Sequence, residues 1–358
     1  MRRTKVYGPA YLDRVLRVDR PLVDPASGGP LDQSVDGAWR AGRGLTLIDP
    51  GGGVIEVDLP GDWPGPTGEV RLSRALIPGR RRVRGEGWHD DLGGMGAGYA
   101  AAFGGELVCA LGPEDDPTSR AISDLLAAQG VDHRPIRLAG RSADWTLLLT
   151  SGAHGDKLPI GFRGCASDLS GFESGGEAPG DLLVVASMTN RLAASALEAP
   201  AEVRFFAPAM RNMLDRSPPV ARFANGVDVL ACNRREWEAL DDRDPLAGVS
   251  ILAITDGPSG STVAFRRFGG DRVVLHVPAF PRTRPPVDTN RAGEAYASTL
   301  VSALLDGGWS GGPAEEALVR SAAYRASAAA ALVLDRPGFG FPTREEVDEA
   351  VRAGVVPG

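Results

Sequence analysis

Short, almost wholly apolar runs recur along the chain from about residue 105 onward, and they predict buried strands. These runs lack the polar-apolar alternation of a strand with one wet face, so we expect both faces of each strand to be covered. Segments with helical spacing lie between them, such as 119–129 and 190–197. Strands and helices that alternate through short turns predict βαβ units and a parallel sheet. The predicted strands are 107–111, 182–188, 203–207, 227–231 and 250–255.

Residues 22–90 show a different pattern, in which polar and apolar residues alternate between Gly-, Pro- and Asp-rich turns. This alternation is typical of an antiparallel sheet with one wet face. A second alternating hairpin, over 145–163 with a turn at 152–156, is expected to join the same structure. The sequence therefore predicts a separate β-rich lobe. Its expected strands within the first segment are 45–48, 54–59, 69–76 and 81–85.

The C-terminal part is predicted to be helical. A run over 295–305 stops at a Gly-Gly pair, an alanine-rich helix follows over about 314–334, and an amphipathic helix begins at Thr343. Together the patterns predict a core and a β-rich lobe, and the length allows one large α/β domain or two smaller ones. The core is expected to comprise 1–20, 91–142 and 168–358, and the lobe 21–90 and 143–167.

Composition excludes several classes of protein. The chain of 358 residues carries 39 basic and 46 acidic side chains, a net charge of −7, which argues against binding nucleic acid through overall positive charge. The lysines are only Lys5 and Lys157, and neither stands in the Gly-Lys-Ser/Thr context of a phosphate-binding P-loop. The cysteines and histidines show no zinc-site spacing. Since no apolar run approaches the ~18–20 residues of a membrane span, we expect a cytoplasmic protein with no membrane partner.

The most informative segment is a Gly-containing turn that leads directly into a helical run. Residues 287–294 read V-D-T-N-R-A-G-E, and the run over 295–305 follows. A helix N-terminus offers free backbone N–H groups and the positive end of the helix dipole, which suits a phosphate group. A carboxylate in the first turn of a helix is also what ordinary capping favours. This stretch by itself therefore leaves both a phosphate site and a simple cap open.

Other segments narrow the choice because of their order along the chain. Each one is a Gly-rich turn or a polar residue placed where a predicted strand or helix ends or begins. They are Gly8 with Asp13, Gly93 with Gly94, Asn233 with Glu236, and Thr255 with Gly257 and Gly260. Followed by Asp288, Thr289, Ala292, Gly293 and Glu294, this series resembles the ribokinase-like, or PfkB-type, carbohydrate kinase family from Val6 to Val351.

The resemblance implies a single domain over residues 1–358, with a three-layer αβα fold and a mostly parallel central sheet. It also implies an enlarged β-rich lid, which would cover the cleft, and whose exposed strands are expected to pair two subunits into a homodimer. The implied reaction is transfer of the γ-phosphoryl group of ATP, with Mg²⁺, to a hydroxyl of a small sugar or nucleoside. Such a reaction needs mainly positioning and charge stabilisation, so the scarcity of lysine does not exclude it.

Roles for individual residues follow from the same resemblance. Glu294 stands where the family has its catalytic aspartate, Ala292 and Gly293 supply the anion hole, and Arg291 replaces the first glycine of the motif. The expected substrate-binding residues are Asp13, Gly93, Gly94, Gly98 and Arg163, and the expected cofactor-binding residues are Asn233, Glu236, Thr255, Gly257, Gly260 and Asp288. Of these, Glu236 is expected to organise Mg²⁺ indirectly and Asp288 to hold a monovalent cation.

Departures from the family pattern concentrate at these positions. Gly98 stands where an asparagine usually holds acceptor hydroxyls, and a strand end usually rich in polar groups retains only Arg211. Arg291 either binds the γ-phosphate or fills its pocket and pairs with Glu294. Two hypotheses follow: an active kinase of an unusual small acceptor, or a catalytically inactive kinase-fold protein that binds a nucleotide or small ligand as a sensor or structural partner.

Overall fold

The two hydrophobic patterns fold into two different β-structures, an open sheet and a closed barrel. A computed structural model describes residues 2–23, 31, 33–151, 156–172, 179–336 and 338–356. The strands are β1 (Thr4–Tyr7), β2 (Tyr11–Val18), β3 (Val35–Ala41), β4 (Leu45–Ile48), β5 (Val54–Asp58), β6 (Gly68–Leu72), β7 (Arg80–Gly93), β8 (Glu106–Leu111), β9 (His133–Arg137), β10 (Trp145–Ser151), β11 (Asp156–Phe162), β12 (Gly180–Ala186), β13 (Ala201–Ala207), β14 (Val229–Asn233), β15 (Ile251–Thr255), β16 (Ser261–Arg266) and β17 (Arg272–Val277).

The helices connect the strands of the open sheet and complete the C-terminal end. They are α1 (Met95–Phe103), α2 (Pro117–Ala128), α3 (Asn190–Leu197), α4 (Met210–Leu214), α5 (Val220–Phe223), α6 (Arg234–Glu238), α7 (Ala292–Asp306), α8 (Glu316–Val333) and α9 (Arg344–Ala353). In the described part of the chain, no helix combines the length and the apolar character needed to cross a membrane.

The open sheet has the order β17-β16-β15-β14-β13-β12-β1-β8-β9, and its pairs are parallel except for the two that involve β16. Successive residues of each apolar strand pack on opposite faces, as Val184 and Val185 do. Helices α1, α2, α7 and α8 cover one face, and α3, α4 and α5 contribute to the other. The predicted three-layer fold with a mostly parallel central sheet is therefore confirmed.

The alternating strands close into a barrel of the order β10-β11-β3-β6-β4-β5-β7-β2. Along each barrel strand every second side chain points into the barrel, where apolar residues form a separate core. The predicted β-rich lobe thus exists, but its pairing is not purely antiparallel, since β4–β6, β5–β7, β10–β2 and β11–β3 are parallel. Fully buried barrel residues include Leu16, Leu47, Ile55, Val70, Leu147, Leu149, Leu158 and Ile160.

Two buried aspartates hold the loops of the barrel. The carboxylate of Asp49 accepts backbone N–H groups from Gly51, Gly53, Leu76 and Ile77. Burial alone would raise the pKa of Asp49, but these four donors outweigh it and lower the pKa. Asp156 likewise accepts hydrogen bonds from the N–H groups of two loop residues and from a serine hydroxyl. Polar residues inside the lobe are thus structural anchors of its turns.

The boundaries of several elements differ from the predicted ones. The helix predicted over 190–197 is found at the same residues, whereas the strand predicted over 81–85 extends to the whole of β7. No strand was predicted for β3, whose outer residues are polar. The strand β2 was counted with the core, but it pairs with β7 and β10 and belongs to the barrel. The turn predicted at 152–156 lies outside the described residues except for Asp156.

Candidate active site

A cleft of about 580 Å³ lies between the barrel and the ends of the parallel strands. Parallel strands bring their carboxyl ends to one edge of a sheet, where ligands bind in open α/β folds. Barrel strands β2, β7, β10 and β11 form one wall, and the N-terminal ends of α1 and α7 form the other. Of the predicted site residues, those that line this cleft are Asp13, Gly93, Gly94, Gly98, Asp288, Arg291 and Glu294.

Asp13 reaches the cleft from the barrel wall. It lies on β2 directly opposite Asp91 of β7 and beside Thr146 of β10. Burial is the main reason that the pKa of Asp13 is raised to about 6, and the Asp91 carboxylate contributes in the same direction. A hydrogen bond from Thr146 opposes this rise in part. Two facing carboxylates in a partly buried wall favour a cation or a hydrogen-bond donor at this point of the cleft.

The Gly93-Gly94 pair is required by close packing around Asp13. A Cβ atom at Gly93 would lie 2.3 Å from the Oδ2 atom of Asp13, so only glycine fits against that carboxylate. Gly94 has φ 94°, a conformation that favours glycine, and it caps α1 with no side chain. The pair therefore lets the start of α1 approach the barrel wall, and its contact with an acceptor stays a prediction.

Glu294 reaches the cleft from the other side, in the first turn of α7. Burial raises the pKa of Glu294 above its ordinary value, while the nearby charges of Arg291 and Lys157 lower it. Its side chain lies against Gly98 of α1, where an added Cβ atom would stand 3.5 Å from the Cγ atom of Glu294. Glu294 is one methylene longer than the aspartate of the family motif, and it extends toward the space that a side chain at position 98 would occupy.

The start of α7 presents free backbone donors. Arg291 caps the helix in the left-handed conformation, with φ 64°, and Ala292 and Gly293 form its first turn. The first-turn N–H groups of a helix have no intrahelical acceptor, and the helix dipole adds positive potential there. Neither Ala292 nor Gly293 is among the residues that line the cleft itself, so their predicted part in an anion hole rests on these N–H groups at its margin.

The Arg291 side chain does not pair with Glu294. Its guanidinium donates to the carboxylate of Asp91 at 3.2 Å, to the carbonyl oxygen of Leu92 at 3.0 Å and to that of Gly338 at 2.9 Å. It also lies over the ring of Phe339, 4.8 Å from the ring centroid. Of the two arrangements left open for Arg291, the pairing with Glu294 is therefore wrong for this conformation, and the guanidinium instead connects α7 to the barrel.

Asn233 and Glu236 form a reciprocal cap at the start of α6. The Asn233 side chain accepts from the N–H of Glu236 at 2.9 Å, and Glu236 accepts from the N–H of Asn233 at 2.8 Å. The pKa of Glu236 is raised to about 7, mainly by burial and also by the nearby charge of Glu294. The N–H of Asn233, which donates to the carboxylate, opposes this rise. The electrostatic contact between the two glutamates shows that Glu236 adjoins the cleft, although neither Glu236 nor Asn233 lines it.

These two glutamates fit a magnesium ion that is held chiefly by phosphates and water. Mg²⁺ commonly uses one or two carboxylates together with substrate phosphates. Within the described residues, no group of three or more acidic, His or Cys side chains forms a complete metal cage. A divalent cation near Glu236 and Glu294 would also relieve the repulsion that raises the pKa of Glu236.

The remaining predicted cofactor residues lie at strand ends beside Glu236. Thr255 ends β15 in register with Asn233, and a tight turn follows in which the N–H of Asp256 donates to the carbonyl oxygen of Gly260 at 2.7 Å. Gly257 lies inside this turn, in the single helical turn Gly257–Ser259. This arrangement leaves an exposed Gly-rich turn next to the Asn233 cap, and the nucleotide-binding role of that turn stays a prediction.

Asp288 is engaged within its own loop. Its two carboxylate oxygens accept from the backbone N–H of Asn290 at 2.8 Å and from the Asn290 side-chain amide at 3.3 Å. The side-chain oxygen Oδ1 of Asn290 in turn accepts from the ammonium group of Lys157, which belongs to barrel strand β11. This chain of contacts orders the loop before α7. The predicted monovalent cation at Asp288 stays a prediction.

Arg163 does not line the cleft with Asp13. It lies at the end of β11, pairs with Asp36 at 2.8 Å and faces a neighbouring cavity. Conversely, the cleft contains residues that the sequence did not single out as site residues: Asp91, Lys157, Asn290 and Ser187. Ser187 follows β12 with φ 35°, an uncommon conformation for a residue other than glycine. The positions of Asp91 and Lys157 depend on barrel register, which no local pattern reveals.

Comparison with known proteins agrees with this geometry. The sequence pattern of the pfkB family carbohydrate kinases matches residues 73–346, and the chain belongs to that family. Similar folds include a nucleoside kinase of Methanocaldococcus jannaschii, described as an archaeal member of the ribokinase family, with 13% identity, TM-score 0.65, and 99% of each chain covered. A comparison with curated proteins found no match.

Two further solved structures resemble the chain and contain ligands. One is the Burkholderia thailandensis nucleoside kinase in complex with inosine, with 15% identity, TM-score 0.63, and 98% of each chain covered. Another is the ribokinase of Cryptococcus neoformans in complex with ADP, with 17% identity and TM-score 0.60, where 98% of this chain and 99% of that chain are covered. At these identities the likeness establishes the ribokinase-like fold.

Proposed function

We propose that this protein transfers the γ-phosphoryl group of ATP to a hydroxyl group of a small sugar-like or nucleoside acceptor, with Mg²⁺. Membership of a carbohydrate kinase family supports the class of reaction. The single observation that carries the proposal is the position of Glu294. Its carboxylate faces the cleft that Asp13 also enters, it stands at a helix N-terminus, and Arg291 leaves it unpaired.

In the proposed reaction Glu294 accepts the proton of the acceptor hydroxyl. The acceptor oxygen forms a bond to the γ-phosphorus, and the bond from that phosphorus to the bridging oxygen of the β-phosphate breaks, which releases ADP. Backbone N–H groups of Ala292 and Gly293, with the dipole of α7, stabilise the negative charge on the transferred group. Asp13 orients the acceptor, and Mg²⁺ near Glu236 supplies charge neutralisation when it is bound.

A raised pKa suits Glu294 for this role. A general base is most effective when its pKa approaches the working pH, because it then binds the proton more strongly while it remains ionised. Burial raises the pKa of Glu294 in that direction. The compact Gly98 leaves the glutamate carboxylate room to face an acceptor that occupies the cleft.

The test is Glu294→Gln, which keeps the side-chain shape and removes the base. We expect ADP formation, measured against a panel of sugars and nucleosides, to fall at least about 100-fold, while ATP affinity changes less than about threefold. Glu345→Gln, at an exposed first-turn glutamate of α9, is the matched control and should leave both values unchanged. Two results would contradict the proposal. One is that the wild-type protein forms no ADP with any acceptor of the panel, and the other is that Glu294→Gln forms ADP as fast as the wild type does.

The inactive alternative is favoured by one observation, the engagement of Arg291 with three protein acceptors at the mouth of the anion hole. In that case the protein binds a nucleotide and performs no transfer. The same experiment separates the two functions, since ATP binding without ADP formation in both wild type and Glu294→Gln supports the non-catalytic role.

A further inference from the structure

A second cavity, of about 270 Å³, lies beside the cleft on the side of the sheet covered by α3. The two spaces share Pro9 and Tyr11, so the Tyr11 side chain stands between them. The cavity has the volume of about nine liquid waters, enough for a small organic molecule. Its floor is apolar, formed among others by Leu169 and Met188.

Arg211 is the unusual polar group of this cavity. Its Nη2 atom donates to the carbonyl oxygen of Ser187, while its Nε atom is buried and has no hydrogen-bond partner. No described carboxylate forms an ion pair with it, and Asp144 acts on it only through a longer-range charge interaction. A buried guanidinium N–H without an acceptor is costly, because its desolvation is not compensated. An acceptor atom in the cavity would remove that cost.

Arg163 supplies a second guanidinium at the same cavity. Its charge is shared between Asp36 at 2.8 Å, which faces solvent with 58% of its side chain exposed, and Asp144 at 4.0 Å. One oxygen of Asp144 also accepts the backbone N–H groups of Gly164 and Ala166. The carboxylates near the cavity are therefore occupied with Arg163 and the backbone, and the charge of Arg211 is left without a partner.

The start of α3 opens toward the same place. Thr189, its N-terminal cap, lines the cavity, and among the described residues no side chain makes a capping hydrogen bond to the helix. The first-turn N–H groups have no intrahelical acceptor, and the helix dipole adds a positive potential. This feature is independent of Arg211, and both favour the same kind of occupant.

We propose that this cavity binds a small organic anion. A carboxylate or phosphate group accepts from Arg211 Nε, pairs with Arg163 and approaches the uncapped start of α3, and a compact apolar body packs on the floor of the cavity. The site is separate from the phosphoryl-transfer residues and does not depend on the proposed kinase activity. The anion has two sources to distinguish: the acidic end of an acceptor that reaches past Tyr11, or a separate ligand.

Calorimetric titration of the full chain with isobutyrate tests the site. The uncharged isostere isobutyramide is the matched ligand control, and inorganic phosphate is the second probe. We expect isobutyrate to bind at least tenfold more tightly than isobutyramide. Arg211→Gln should weaken isobutyrate binding at least tenfold, whereas Arg222→Gln, at an exposed arginine of α5 outside the cavity, should change it less than twofold.

A second variant guards against misfolding of Arg211→Gln. Ala166→Leu adds volume to the wall of the cavity and leaves both arginines in place, so it should also abolish isobutyrate binding. Thermal melting of each variant shows whether it is folded. Equal binding of isobutyrate and isobutyramide, binding of neither isobutyrate nor phosphate, or unchanged isobutyrate binding in folded Arg211→Gln and Ala166→Leu would overturn the proposal.

The two sources are separated by comparing D-ribose with D-ribonate as acceptors in the ADP assay. A preference for the acid that Arg211→Gln removes assigns the cavity to the acidic end of the acceptor. Binding of isobutyrate without such a preference assigns it to a separate ligand. Because the calorimetry uses no ATP, failure of the proposed phosphoryl transfer leaves this test intact, and failure of anion binding leaves the test of Glu294 intact.

Discussion

The Arg291 guanidinium lies 3.2 Å from the Asp91 carboxylate, so the residue that caps α7 is joined to the barrel strand that faces Asp13. Only 10% of the Arg291 side chain and 23% of the Asp91 side chain are exposed. Two backbone carbonyls on either side of the cleft accept from the same guanidinium. An arginine at a glycine position of the family motif therefore connects the β-rich lobe to the anion-hole helix.

This connection predicts a measurable coupling between the two side chains. In a double-mutant cycle with Arg291→Gln and Asp91→Asn, we expect a coupling free energy of about 1–3 kcal/mol, because the pair is largely screened from water. Urea denaturation of the wild type, both single variants and the double variant measures it.

A surface pair provides the control for that cycle. Arg80 and Glu56 form an ion pair on the outside of the barrel, with 74% and 36% of their side chains exposed. Exposed pairs contribute about 0–1 kcal/mol, so the cycle for Arg80→Gln and Glu56→Gln should give a smaller coupling. Equal coupling in the two cycles would show that Arg291 does not hold the lobe to α7.

The contact between Gly98 and Glu294 predicts that the two positions changed together. Glu294→Asp withdraws the carboxylate by roughly 1 Å, which should lower the rate of ADP formation on the order of 100-fold. Gly98→Asn alone should also lower it, since the new side chain would be built against the Cγ atom of Glu294, 3.5 Å from the added Cβ.

The double variant decides whether the two changes compensate. Gly98→Asn with Glu294→Asp restores the family pair, and we expect its rate to exceed that of either single variant at least tenfold. Steady-state kinetics with the acceptor that supports turnover measures this, and thermal melting checks the helix. Losses that simply multiply in the double variant would show that the substitutions are independent.

The open sheet could be predicted from the sequence because its evidence is local. In the run 182–188 every residue except Ser187 is apolar, and such a run predicts a strand that is buried on both faces. Gly93, Gly94 and Asn233 could also be predicted as candidate site residues, since they stand at predicted element boundaries. The order of these motifs along the chain indicated the family, whereas no single motif would have been specific enough.

The closed barrel and half of the cleft could not be predicted in the same way. Asp91 lies in a polar stretch of β7 that resembles a loop, and it becomes a site residue only because the register places it opposite Asp13. Lys157 reaches Asn290 across 133 positions of sequence. Such contacts form because the barrel closes on itself and lies beside the start of α7. No periodicity or spacing within one segment of the sequence encodes either arrangement.

The raised pKa of Asp13 predicts how stability depends on pH. The folded chain keeps the Asp13 proton up to about pH 6, whereas an unperturbed aspartate releases it near 3.8. Between these values the folded state binds more protons than the unfolded state, so this group's contribution to stability is lost as pH rises. Asp13→Asn removes the dependence. We expect it to raise the free energy of unfolding at pH 8 by up to about 3 kcal/mol, and to change it little at pH 4.

Urea denaturation at pH 4, 6 and 8 measures the effect. Asp115→Asn, in an exposed loop, is the matched control and should show the same small change at every pH. A stabilisation by Asp13→Asn that is as large at pH 4 as at pH 8 would mean that the buried charge of Asp13 is not its cause.

The closed barrel changes the expectation of a homodimer built by strand pairing. That expectation needed exposed strand edges, but each barrel strand in the described part of the chain has a paired neighbour on both sides. Closure removes the unpaired N–H and C=O groups that recruit another chain. We therefore predict that the lobe does not pair edge to edge with a second copy of the chain. Sedimentation velocity over a hundredfold range of concentration shows whether a dimer forms. If a dimer forms, hydrogen exchange should leave the amides of β3 and β10 equally protected in monomer and dimer, and added protection confined to these strands would contradict the prediction.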